Sequence, residues 1–133
     1  MIHYFDYGSP IYVPLEIEIN VCVARDHFQA HVKEALLNVL NNRELPDGRK
    51  GFFHPDNFTF GQPVYLSRLY SALGQVAGVD SSEVIVFKRF GKVKNNELEQ
   101  GYILMGRLEI ARLDNDPSFP ENGVLRLNMI GGK

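Results

Sequence analysis

From residue 13 to residue 23 the chain alternates. Val13, Leu15, Ile17, Ile19, Val21 and Val23 are apolar, and Glu16, Glu18, Asn20 and Cys22 fall between them. A period of two predicts a strand with one buried and one wet face. A half-wet strand points to an antiparallel or mixed sheet, because parallel strands are usually covered on both sides. The period then lengthens. Phe28, Val32, Ala35, Leu36, Val39 and Leu40 recur at helical spacings, which predicts an amphipathic helix of about four turns that frays near Asn41 and Asn42. Asp26 stands at the expected N-cap, and Gln29, three residues on, completes a capping-box pattern. Pro63 suits the first position of a second helix, with Tyr65, Leu69, Leu73 and Val76 as its apolar stripe and Gly78 as its stop. Residues 82–89 predict a second strand, 91–101 a polar turn or hairpin loop, 103–113 a third strand, and 114–123 a turn-rich loop with two prolines. Residues 124–130 are the last predicted strand, with Leu125, Leu127 and Met129 on one side.

The predicted order is β-α-α-β-β-β. Three successive strands with short connections favour antiparallel pairing. The simplest packing is an α+β two-layer sandwich, a mostly antiparallel four-stranded sheet with two helices on one face. Residues 1–12 read as an N-terminal arm and 13–133 as a single α+β domain, which suits a chain of 133 residues. Hydrophobic residues at 44% and charged residues at 23% argue against disorder and allow one real core. A formal net charge of -2 provides no global basic field for a nucleic-acid backbone. No apolar run approaches the ~20 residues of a membrane span, and the N-terminus lacks the regions of a signal peptide. Cys22 is the sole cysteine, so an internal disulfide is impossible, which fits a reducing compartment.

The segment 43–62 is unusual. Pro46, Asp47, Gly48, Gly51, His54, Pro55, Asp56 and Asn57 are turn signals in quick succession, yet Phe52, Phe53, Phe58 and Phe60 lie among them. Each phenylalanine is worth about 2 kcal/mol when buried, so the four must press on the core or on a partner. Aromatic residues and arginine carry most interface energy. Phe52, Phe53, Phe58 and Phe60, with Arg68 and Tyr70, are therefore the candidate protein interface. As a docking surface, at least two of the four rings should stay more than one-third exposed in the isolated chain.

Other groupings invite chemistry and resist it. His27 and His31 would share a helical face and could chelate a metal, with His54 or Cys22 as the third ligand that zinc requires. Neither has ligand spacing, so two surface histidines are the plainer reading. Asp114, Asn115, Asp116 and Glu121 suggest a calcium loop, but Pro117 and Ser118 break its spacing, and a turn bonded by Asp and Asn side chains is simpler. Lys88, Arg89, Lys92 and Lys94 surround Gly91 and could touch phosphate. No glycine-rich cradle or stacking platform accompanies them, so a solvated hairpin tip is simpler. Cys22 has no histidine at a recognised offset, and Ser67, Ser71 and Ser81 sit in no nucleophile elbow. No catalytic, metal or cofactor site is expected.

Four strings point further. They are PLEIEINVCV (14–23), NRELPDGRKGFF (42–53), GFFHPDNFTFGQPVYLSRLYSAL (51–73) and GRLEIARLDNDPSFPENG (106–123). Together they resemble the C-terminal region of the large baseplate assembly protein family, itself similar to the baseplate J-like wedge proteins of contractile phage tails and phage-tail-like injection systems. The resemblance covers residues 11–133, and family members are usually longer, with this region at their end. It implies a structural, non-enzymatic role in protein-protein assembly, with copies of itself or other baseplate proteins as partners. It implies no catalysis, cofactor or metal, and the charge and hydropathy readings above add no nucleic acid, no membrane span and no small-molecule substrate among the expected partners. The expected location is the cytoplasm during assembly and then a phage virion or phage-tail-like particle. Two alternatives stay open: a metal- or small-ligand-binding domain using His27, His31 and His54, and a nucleic-acid-binding module using the tip at residues 88–94.

Overall fold

The computed structural model describes residues 9–133. In chain order the elements are β1 (Ile11–Val23), α1 (Gln29–Val39), β2 (Val64–Tyr65), α2 (Leu66–Gly74), β3 (Val79–Arg89), α3 (Glu97–Gln100), β4 (Tyr102–Ile103), β5 (Glu109–Arg112) and β6 (Val124–Gly131). Most of the arm expected at residues 1–12 falls outside the described residues, and Ile11 and Tyr12 already belong to β1. Among the described residues the fold is mixed α+β, with three α-helices and a four-stranded main sheet.

β1 is the centre of that sheet, and its alternation decides the layout. Its odd-numbered residues from Val13 to Val23 are buried, and its even-numbered residues from Pro14 to Cys22 are half exposed. Val32 and Leu36 of α1 and Leu69 and Leu73 of α2 join the same core as the odd-numbered side chains. On one edge β1 pairs antiparallel with β3. Opposite Glu18 and Ile19 the register skips Ile85. This bulge turns Val84 and Phe87, three residues apart, toward the core together.

The other edge overturns the expected antiparallel majority. β5 and β6 both run parallel to β1, one after the other along the same edge. Pro14 pairs with Arg112 and Glu16 with Val124. Residues 113–123 therefore leave the edge and return to it beside Leu15, without reversing the chain. Asp114 N–H donates to Asn122 O (3.0 Å) and Asn115 N–H to Gly123 O (3.1 Å), which closes the neck of this excursion. A short connection suggested a hairpin, but here it is a detour within one strand line. The predicted third strand at 103–113 also splits in two. β4 pairs with β2 in a separate two-stranded sheet, and β5 joins the main one.

Helix boundaries differ from expectation as well. α1 starts at Gln29 and Asp26 does not cap it. The Asp26 carboxylate instead lies 2.9 Å from His27 Nδ1. The first turn is closed by the chain's far end: Gln29 N–H donates to Lys133 O (3.3 Å) and Lys133 N–H to His27 O (2.8 Å). Phe28 precedes the helix and is exposed rather than part of its apolar stripe. Pro63 precedes β2, so α2 begins at Leu66, and Tyr65 is exposed.

Candidate functional site

The segment after α1 is anchored on carbonyls at and just beyond that helix's end. Phe52 N–H donates to Val39 O (2.8 Å), a group a helix C-terminus leaves unpaired, and Phe53 N–H donates to Asn41 O (3.0 Å), two residues past the helix. The two bonds pin consecutive phenylalanines against the core. Phe53 is 3% exposed and Phe52 is half-buried. Pro55–Asn57 then forms a 3-10 turn in which the His54 side chain accepts from Asp56 N–H. This turn brings Phe58 back to its predecessors. Phe53 and Phe58 stack at 6.3 Å, and Phe52 meets Phe53 edge-on at 4.8 Å.

The three rings were expected on a partner surface; Phe53 belongs to the core, and Phe52 and Phe58 pack half-buried against it. Of the four phenylalanines only Phe60, at 40%, is exposed, and Phe58 like Phe52 is half-buried. Rings placed this close in one short segment shield each other in part, which composition does not show. Tyr70 also has an internal task. Its hydroxyl accepts from Val84 N–H (2.8 Å), a group on the open edge of β3.

The structure brings Phe52, Phe58 and Arg68 together in a different way. They line one side-chain-sized cleft of about 190 Å³, along with Asn57, Gln62, Pro63 and Tyr65. Its frame is fixed by polar side chains. Asn57 Nδ2 donates to Gly51 O (2.8 Å), Gln62 Nε2 donates to Asn57 O (3.3 Å), and Gln62 Oε1 accepts from Thr59 N–H (3.2 Å). The Arg68 guanidinium sits 5.8 Å from the Tyr65 ring centre. Tyr65 in turn meets Tyr102 across the β2–β4 pair, with ring centres 6.5 Å apart. Sequence reasoning placed Tyr65 in a helix stripe and so missed it as a cleft wall. The strand-forming Val64–Tyr65 pair directly after Pro63 was the available signal.

The remaining candidates are dispersed or occupied. The His27 ring sits beside Asp26 and close to Gly78, and His31 meets Phe28 edge-on at 5.3 Å. Among the described residues no group of three or more His, Cys, Asp or Glu is placed to hold a metal ion. Asp114 accepts from Arg112 and Asn42, Asn115 Oδ1 accepts from Leu125 N–H, and Asp116 Oδ1 accepts from Ser118 N–H. Each of these side chains thus supports the excursion itself. In the basic tip, Lys88 Nζ donates to Glu16 (2.7 Å) and Lys92 O (2.8 Å), and Arg89 forms a two-pronged pair with Glu109. Only Lys92 and Lys94 of the four are exposed.

The half-exposed face of the main sheet carries an ordered charge ladder. Glu16 lies between Lys88 and Arg126, Glu18 between Arg126 and Asn128, and Asn128 also reaches Asn20. The Lys88 ammonium, aided by Arg126, holds the Glu16 carboxyl below the ordinary glutamate range. Arg89 and the Gly106 N–H do the same for Glu109. No helix among the described residues is long and apolar enough to cross a membrane. Comparison of the chain with protein-family models, curated proteins and solved structures finds no match.

Proposed function

We propose that this chain is a structural component of the baseplate wedge of a contractile phage tail or phage-tail-like injection system. It acts by protein-protein assembly and not by catalysis. Its partners are copies of itself or neighbouring baseplate proteins. It resides in the cytoplasm during assembly and then in the particle. In this reading α1 and α2 form one layer over the apolar face of the sheet, and the Glu16–Arg126 face is left for solvent or a neighbour.

The observation that supports the reading most is the placement of the two long strings behind the resemblance. Residues 51–73 build the aromatic cleft, β2 and most of α2, and residues 106–123 build β5 and the exposed excursion. Both strings thus contribute surface features suited to docking as well as core residues. The test is deletion of the gene in the producing strain, followed by electron microscopy. The expected result is loss of sheathed particles while sheath and tube proteins still accumulate, with recovery when the gene is returned in trans. Normal numbers of contractile particles in the deletion strain would overturn the proposal.

A further inference from the structure

We infer that the aromatic cleft receives the Phe119 loop of a second copy of this chain. The inference rests on the assembly reading above and names the surfaces that meet. The cleft's volume of about 190 Å³ is below the roughly 300–1,000 Å³ of small-molecule sites. It suits one inserted side chain. Its walls are the Phe52, Phe58 and Tyr65 rings with Pro63, and Arg68 stands at its border. Arg68 is exposed and, among the described residues, makes no ion pair. Its contact is with the face of Tyr65. Such a site calls for an aromatic side chain accompanied by a carboxylate.

The chain presents that combination on its own surface. Phe119 is 52% exposed. It lies on the 113–123 excursion between Asp116 and Glu121, both exposed. The backbone around it is already ordered. Phe119 N–H donates to Asp116 O (2.9 Å) and Asn122 N–H to Phe119 O (3.0 Å). A ring held this way loses little freedom on docking. The cleft is likewise fixed by Asn57 and Gln62. Knob and cleft share no residue, so the contact joins unlike surfaces and each copy offers one of each.

Sedimentation equilibrium of the 133-residue chain from roughly 10 μM to 1 mM tests this. Concentration-dependent association is expected. Phe119→Ala and Arg68→Glu should each weaken it at least about 30-fold, as expected of hot-spot residues. Both side chains are exposed, so unchanged thermal melts serve as the folding control. Mixing gives the sharper result. F119A keeps its cleft and R68E keeps its knob, so the two together should form a one-to-one pair that neither forms alone. A wild-type chain that stays monomeric throughout, association that neither change weakens, or a mixture that fails to pair overturns the inference. Those results leave the deletion experiment untouched. Normal particles in the deletion strain, with pairing intact, would instead remove the assembly reading and leave the contact standing.

Discussion

Two glycines in the segment before the cleft show how differently the same residue can be required. Gly51 is buried, and a Cβ there would lie 2.1 Å from Asn41 Oδ1 and 2.2 Å from Asn41 O. Backbone cannot yield that far, so Gly51→Ala should cost about 3 kcal/mol and lower the melting temperature by roughly 10 °C. Gly48 has φ +88 with nothing near its virtual Cβ, so Gly48→Ala meets only left-handed backbone strain, about 1 kcal/mol. Differential scanning calorimetry of the pair should separate the two costs. Glu16 carries a pH signature. Its lowered pKa means its ionised form is favoured in the folded state. The resulting stability is fully present above the ordinary value of 4.5 and is lost as pH falls through the lowered folded value. Glu16→Gln should cost about 1–2 kcal/mol at neutral pH and flatten the acid limb of a urea-midpoint profile. At this scale the sequence revealed which residues demand burial but not their direction. Phe52, Phe58 and Arg68 do meet at the cleft, whereas Phe53 went to the core and Tyr70 to a strand edge.

At the scale of elements, the clearest periods were legible. β1 and the core of α1 follow their spacing, because a side chain's face is set by backbone geometry alone. Strand direction was not legible. Whether β6 lies parallel or antiparallel to β1 depends on the path of residues 113–123, and turn residues there fit either outcome. The bulge at Ile85 hid the two-residue period of β3 in the same way. Helix starts were misread because their partners are distant: Lys133 closes α1 where Asp26 was expected to. The edge of β3 offers a direct measurement. Tyr70→Phe removes the acceptor for Val84 N–H and should cost about 1 kcal/mol. Amide exchange at Val84 should accelerate more than at neighbouring core positions, and unchanged protection there would show that the hydroxyl does not guard this edge.

For the whole molecule, the charge balance and its arrangement agree. The net charge is -2, and the two most inward basic groups of the tip are committed to Glu16 and Glu109. Retention on immobilised DNA should therefore be weak and vanish by about 0.15 M salt, where the screening length is ~8 Å. Binding that persists in higher salt would revive the nucleic-acid reading. The parallel seam between β1 and β6 reaches furthest in time. It joins Glu16 to Val124 and Val23 to Gly131, so β1 completes its ladder only with residues 108 positions further along the chain (124 − 16). Such non-local closure slows folding. Until β6 emerges, one edge of the most apolar strand waits without its neighbour. Its even-numbered Glu16 and Glu18 then have a second use, as charges that discourage premature pairing between nascent chains.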